Sequence, residues 1–435
     1  MKIAVIGAGV SGLVAAERLR QTHDVTVFEA GSYIGGHTNT IDVESPDGPL
    51  SIDTGFIVFN DRTYPNFIKL LDRLNVPSQD TIMSFSVKCE RTGLEYRGAD
   101  PDGLFAQRRN LFNPKFYRLL YDLMKFFRLG EAMLDADSDA DENETVGSFL
   151  NRNNFSSQFV EQYFLPMGAA IWSASYDSFR DFPIRFIAEF YKNHGLLGVK
   201  DRPQWKVVQG GSKQYVKALT HGWTDQIKLN SPVQKVVRNF TLGDREPSSV
   251  TVTTNGQSHE FDHVVFACHS DQALRMLGGN ATESETGILS AFPYQKNVAL
   301  LHTQSDVLPK QRRAWASWNY FNPIEESDAA TVTYNMNILQ SLNTETVWCV
   351  TLNGEDLIRD ENIVASIDYA HPTFSIGRKA MQARHAELCD ANATSFCGAY
   401  WGNGFHEDGV VSGLRVVEAL QQRANTSQPS PVAAQ

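Results

Sequence analysis

Cysteine is scarce. The five residues Cys89, Cys268, Cys349, Cys389 and Cys397 are scattered, odd in number and without a CxxC pair. That spacing supports neither a disulfide scaffold nor a zinc site, and no other residue set has metal-ligand spacing. Positive charge is also short: 39 Lys and Arg face 50 Asp and Glu, a formal charge of −11. Such a balance argues against broad nucleic-acid binding. No uninterrupted apolar stretch reaches the roughly 18 residues of a membrane span. Met1-Lys2-Ile3 runs straight into a strand pattern, with no basic region, apolar region and cleavage site before it. A cytoplasmic location, at most peripheral to a membrane, is the expectation. Ser, His and Asp form no convincing hydrolase triad. The acidic run Asp135 to Glu144 places Ala140 and Val146 where a calcium loop needs Gly and Glu, so it reads as a solvated linker. Residues 424–435 are rich in Ser, Pro and Gln and read as a disordered tail.

What is present points to a nucleotide. The 435 residues, 42% hydrophobic and 20% charged, suffice for two domains with a large core. Ile3 to Ile6 suits a buried parallel strand, and Gly7-Ala8-Gly9-Val10-Ser11-Gly12 follows at once. Leu13 to Leu19 then has helical spacing, and Asp24 to Phe28 reads as a second strand closed by Glu29. Gly7 permits the tight turn, Gly9 lets a pyrophosphate approach the backbone, and Gly12 lets the helix pack on the sheet. The helix N-terminus stabilises phosphate charge. Glu29, 22 residues after Gly7, is placed to accept hydrogen bonds from a ribose. A structural glycine turn is the alternative, and the strand, helix and acid around the motif weigh against it. Past Ala30, the pair Gly35-Gly36, followed by His37-Thr38, allows a second close backbone approach.

A similar layout closes the chain. Ala393 to Cys397 can form a short strand, a glycine-rich turn follows, and Leu414 to Leu420 has helical spacing. A helix starting near Gly409 would aim its N–H groups at an electron-rich acceptor.

These segments together resemble the amine oxidase and phytoene desaturase superfamily of FAD enzymes. There a glycine pair follows the ribose-binding acid, as Gly35-Gly36 does here, and Asp53-Thr54-Gly55 comes next. Gly398 corresponds to the first glycine of the superfamily's last FAD segment, and Gly409 and Gly413 to its helical pair. Tyr400 stands where that segment carries an acid, and Ile34 and His37 flank the pair where a basic residue is usual. The chain is most similar to a bacterial group of predicted NAD/FAD-binding proteins, at Gly404-Phe405-His406-Glu407-Asp408-Gly409, Tyr334-Asn335-Met336-Asn337 and His371-Pro372-Thr373-Phe374. The resemblance implies non-covalent FAD held by Gly7, Gly9, Val10, Ser11, Gly12, Glu29, Ala30, Gly35, Gly36, His37, Thr38, Thr54, Gly55, Val233, Gly398, Asp408, Gly409, Val410 and Ser412. Val233 enters because superfamily members use that strand's backbone near adenine.

The expected fold is α/β: an FAD-binding Rossmann-like domain of the amine oxidase and glutathione reductase type, with a discontinuous α+β substrate domain. The cofactor domain would comprise 1–80, 205–290 and 385–423, and the substrate domain 81–204 and 291–384. Val250 to Thr254 and His259 to Phe261 predict a hairpin about Asn255-Gly256. Pro114 to Leu129 predicts a helix with a wide apolar face interleaved with Lys and Arg. That face either packs on the substrate domain or meets a membrane surface, and the packing alternative is favoured.

Catalytic candidates are His406, Tyr334 and Trp172. By the resemblance, His406 replaces an aromatic residue that faces the flavin in many amine oxidases; it either serves the reaction or is a satisfied structural histidine. Tyr334 would point into the interdomain cleft, and Trp172 would wall a cavity or pack in the core. Glu407 and Asp408 suit helix capping. The expected activity is oxidation or desaturation of a small or apolar, lipid- or isoprenoid-like substrate by hydride transfer to flavin. Amine oxidation, redox isomerisation and flavin binding without turnover are the alternatives.

Overall fold

The computed structural model describes residues 1–135, 144–172, 175–198, 202–243, 245–324 and 331–426. The acidic linker at 136–143 and the chain beyond 426 lie outside the described residues. The last helix continues through Thr426, past the point where the tail was expected to begin.

The apolar run at the N-terminus becomes the centre of a five-stranded parallel sheet. Lys2–Ile6 pairs with Asp24–Phe28 on one side and His263–Phe266 on the other; Ile227–Lys228 and Thr394–Phe396 form the edges. Ile3, Ala4, Val5 and Val27 are fully buried, because helices and an antiparallel layer cover both faces. That layer is the three-stranded sheet of Val233–Asn239, Ser249–Thr254 and Gln257–Phe261. Its hairpin turns at Asn255 and Gly256, with φ of 48° and 74°, as the two-residue turn requires. Residues expected to be strand at 393–397 and helix from Gly409 are shifted slightly: the strand is Thr394–Phe396 and the helix starts at His406.

A seven-stranded mixed sheet lies in the rest of the chain, in the order Ile363–Pro372, Tyr294–His302, Cys349–Leu352, Thr331–Asn335, Trp318–Asn322, Phe85–Cys89, Leu94–Arg97. Its register decides what each face carries. Phe85, Trp318, Tyr334, Val350, Leu301 and Ala365 form one lateral row, and Ile367, Tyr369 and His371 continue the same face. In-register positions on this face carry no Asp, Glu, Lys or Arg. The opposite face is polar, with His302 bonded to Thr351 at 2.7 Å and Thr351 to Thr333 at 2.8 Å. The uncharged face packs on Val43, Ile52, Ile57 and Val207 and on helical Phe116, Ala169 and Ala170. Beyond it, helices between 114 and 193 close around a phenylalanine-rich core. The helix predicted at 114–129 extends to Asp135.

Candidate functional site

Three backbone segments meet at the tip of the first strand. Gly7 has φ +109°, and a Cβ there would sit 2.7 Å from the Ala267 carbonyl oxygen. A Cβ on Gly12 would lie 2.0 Å from the Gly7 oxygen, so only glycine lets the first helix, Val10–Leu19, start this close to the strand. Gly9 is different. It is the N-cap of that helix, and a Cβ on it would meet nothing within 4 Å. Gly35 donates its N–H to the Ala8 carbonyl at 3.0 Å, and a Cβ on Gly36 would lie 3.1 Å from the Gly9 Cα. Both glycine segments therefore line the space in front of Gly9.

The final helix, His406–Thr426, enters the same place. A Cβ on Gly409 would lie 2.7 Å from Val10, and one on Gly413 would lie 2.6 Å from the Ser11 carbonyl oxygen. Two helix N-termini thus start side by side, and their unpaired N–H groups and dipoles reinforce one positive potential. Val10, Ser11, Val410 and Ser412 are buried in this crossing. The Ser412 hydroxyl accepts from the Gly398 N–H at 2.9 Å and donates to the Gly398 carbonyl, fixing the turn after the last strand.

Glu29 sits at the end of the second strand. Its carboxylate accepts from the Ala8 N–H at 2.8 Å and the Gly31 N–H at 2.7 Å. These bonds leave further lone pairs for a sugar hydroxyl. Residues Asn230 and Ser231 bond to the backbone of Gly31 and Glu29, which brings Val233 close to the same end of the sheet. Ala30, beside Glu29, is exposed. The donors, the glycine opening and the acid all suit the diphosphate and ribose of a dinucleotide.

The comparison with known proteins agrees. Residues 10–286 match the family described as flavin containing amine oxidoreductase. The chain belongs to that family. Over its whole length it has the fold of family structures. Cyclohexylamine oxidase from Brevibacterium oxydans IH-35A superposes with a TM-score of 0.69 at 18% identity, covering 98% of this chain and 99% of the other. Among curated relatives, a putative flavin-containing monooxygenase of Arabidopsis thaliana is 37% identical over 131 residues, 30% of this chain and 26% of that protein. A 4,4'-diapophytoene desaturase of Staphylococcus aureus is 57% identical over 42 residues, 9% of this chain and 8% of that protein. The chain thus matches about a quarter or less of these relatives' length.

His406 is buried, with its ring stacked on Phe56 at 3.6 Å and edge-on to Phe67. Its Nε2 lies 2.9 Å from both the Thr38 and Tyr215 hydroxyls, which are 2.5 Å from each other. Burial pushes the imidazole down to about 3, so it stays neutral at physiological pH. It acts here as the wedge that holds Thr38 in the turn after Gly35-Gly36.

His37 is half-buried, and its imidazole lies well below the ordinary histidine range, through loss of hydration first and then the neighbouring His371 and His269. Its imidazole is therefore held toward the neutral form. Its ring stacks on Tyr369 at 4.8 Å and lies 5.3 Å from His371. Tyr369 also contacts the Thr54 hydroxyl at 3.2 Å, and a Cβ on Gly55 would lie 2.9 Å from the Tyr369 oxygen. The outer strand of the seven-stranded sheet is thereby joined to the segment 37–55.

Tyr334 stands on the uncharged sheet face, edge-on to Trp318 at 5.2 Å. Trp172 is placed elsewhere. It packs among Phe179, Phe182, Phe186, Phe190 and Phe374, in the phenylalanine core rather than beside Tyr334 or His406. Of its two expected settings, the core is the observed one. The adjacent acids also have structural duties. Glu407 accepts from the Asn66 and Phe67 N–H groups at 3.0 and 2.8 Å, capping the helix Pro65–Leu74 from another helix. Asp408 accepts from the Asn403 and Phe405 N–H groups, and its side chain fills the space a Cβ on Gly402 would need. Burial raises its carboxyl to about 6. Its side chain thus holds the turn before the final helix.

Sequence reasoning missed Asp53 as a hub. It is fully buried and accepts from Thr40 at 2.5 Å and from the Ser212 N–H at 2.9 Å, while its own N–H donates to Gln340. Partners 159 and 287 residues away leave no local signal. Asp53 joins the turn at 210–211, the hairpin Thr40–Asp53 and the end of the helix Met336–Leu339.

Proposed function

We propose that this chain is an FAD-dependent oxidoreductase that oxidises or desaturates an apolar, lipid-like or isoprenoid-like substrate. The observation that carries the cofactor is the meeting of two helix N-termini and the open position at Gly9. Backbone N–H groups at Val10 to Gly12 would bind the diphosphate, and Glu29 the adenosine ribose. No bond from this chain to the flavin is part of the proposal; Cys397 is buried in the core. Residues 1–80, 205–290 and 385–423 would form the cofactor domain, and 81–204 with 291–384 the substrate domain.

When bound, the flavin supplies the acceptor for the two electrons and proton removed from a carbon–hydrogen bond. The protein's own contribution is position and exclusion of water. Tyr369 and His37 would hold the boundary between cofactor and substrate sheet, with His406 fixing Thr38 behind it. Tyr334 and Trp318 would present an apolar surface to the substrate. The uncharged sheet face supports an apolar substrate over an amine, because it supplies no carboxylate to an ammonium group. Amine oxidation is the second reading, supported by the fold shared with cyclohexylamine oxidase. A lipid-like substrate also gives the amphipathic helix a use as a peripheral membrane contact.

The test is anaerobic mixing of the flavin-loaded protein with long-chain acyl or isoprenoid compounds and with primary amines. Bleaching by the apolar set alone is expected. Bleaching by amines alone would overturn the substrate class, isomerised product without bleaching would mark a redox isomerase, and no response to either set would favour flavin binding without turnover.

A further inference from the structure

The helix Pro114–Asp135 buries Phe116, Leu119, Phe126 and Phe127 against the substrate domain. Its other side does not behave like an ordinary solvated face. Tyr117, Tyr121 and Met124 stand out at spacings of four and three, with 47%, 61% and 57% of their surface exposed. Leu111 and Phe112 precede them on the short turn Arg108–Phe112, and Phe112 is 88% exposed. Five of the thirteen large exposed apolar side chains among the described residues thus fall within fourteen positions. Single exposed apolar residues need no explanation, but a concentration of this kind marks a contact surface.

The charge around it reverses that of the whole chain. Residues 102–131 hold six basic side chains, Arg108, Arg109, Lys115, Arg118, Lys125 and Arg128, against three acids, Asp102, Asp122 and Glu131, and Asp102 pairs with Arg108. Asp122 is buried and accepts from Arg118 and from the Ser156 N–H. Arg108, Arg109, Lys115, Arg118 and Arg128 are exposed. A chain of net charge −11 therefore presents a local basic rim around an apolar ridge. A recess of about 260 Å³ opens beside the ridge, lined by Thr92, Gln107, Arg109, Asn113, Lys115 and Gln158. Its two cations and its amide and hydroxyl groups match a phosphate-bearing headgroup.

We propose that this face docks on a bilayer containing anionic phospholipid. Phe112, Tyr117, Tyr121 and Met124 enter the headgroup boundary, and the basic rim contacts the phosphates. The inference draws its purpose from the reading of an apolar substrate, which a membrane would deliver, but its physical basis is independent of the flavin. Basic charge favours an anionic bilayer over an acid-rich protein surface here because the patch is centred on an apolar ridge rather than on paired polar groups.

The test is co-sedimentation of the flavin-loaded protein with vesicles of phosphatidylcholine alone and of phosphatidylcholine with phosphatidylglycerol. Binding to the anionic vesicles is expected, weakened at high salt. The exposed double variant Lys115→Glu/Arg128→Glu should lower the vesicle partition coefficient by about tenfold or more, since it removes two attractive charges from the rim and adds two repulsive ones. Phe112→Ser/Tyr121→Ser should lower it while leaving flavin content and thermal midpoint unchanged. Equal binding to both vesicle types, no binding, or no effect of either variant would overturn the proposal. So would a dimer in ultracentrifugation that Phe112→Ser/Tyr121→Ser dissolves, which would make the ridge a subunit interface. Protein that bleaches with apolar substrate but ignores vesicles refutes only the docking; protein that binds vesicles but takes up no flavin refutes only the oxidoreductase reading.

Discussion

Replacing Gly9 by alanine separates the fold from the cofactor. The residue has φ −76° and ψ 178°, open to any L-amino acid, and its Cβ would meet no protein atom within 4 Å. The cost to the apoprotein is the loss of a favoured N-cap, about 1 kcal/mol, or about 1 °C in the midpoint for a chain of this size. The cost to the ligand is larger. A methyl group there stands where the diphosphate must approach, and displacing it breaks charge-assisted hydrogen bonds worth about 1.5–3 kcal/mol each. Losing one such bond weakens FAD binding by about 10- to 100-fold. Gly12→Ala is the contrast, because its Cβ would overlap the Gly7 carbonyl at 2.0 Å. Overpacking against backbone should cost about 3 kcal/mol or more. The assay is calorimetric titration of each apoprotein with FAD beside thermal melting. Wild-type affinity in Gly9→Ala, or unfolding of Gly9→Ala to the extent of Gly12→Ala, would refute the reasoning.

Three further outcomes follow from the same contacts. Glu407→Ala strips the cap from the helix at 65–74 and should cost about 2 kcal/mol in urea denaturation, with Glu407→Gln recovering part of it; an unchanged midpoint in both would contradict the capping role. His406→Phe keeps the stack on Phe56 but frees Thr38, so FAD affinity should fall while the apoprotein loses about 1 kcal/mol, and titration showing stronger binding would oppose a positioning role. Acid should destabilise the fold. His194, His302, His371 and His385 are pushed down to about 4, and His263 and His406 to about 3, all chiefly by burial. They stay neutral in the fold while the unfolded chain protonates near pH 6.5, so stability is lost as pH falls from about 6.5 toward 4. Asp53 and Asp408, raised to about 6 by burial, oppose this between pH 6 and about 4, because the fold binds their protons first. With six histidines against two carboxyls, the urea midpoint should be lower at pH 5 than at pH 7.5; an equal or higher value would contradict the burial assigned to these rings.

The parts legible in the sequence are those that local chemistry encodes. Gly7, Gly9 and Gly12 each have a steric duty within a short span, and Asn255-Gly256 specifies its own turn. The first and last helices also announce themselves by periodicity. Long-range duties do not. Glu407 caps a helix 340 residues away, and the uncharged sheet face emerges only when the strand order and register are known. Trp172 shows the same limit: its sequence environment suits a cavity wall and a core equally, and Phe374, some 200 residues on, helps place it in the core. His37 and His406 were legible as positions in a motif, whereas their neutrality depends on Tyr369, His371, Tyr215 and Phe56 closing around them.

The central claim is that the paired helix N-termini at Val10 and His406 hold a flavin dinucleotide. Its most direct test is the visible spectrum of the purified, folded protein, followed by acid precipitation and mass measurement of what is released. The account predicts a yellow protein that yields intact FAD to the supernatant. A colourless protein that takes up no FAD when it is added would contradict it.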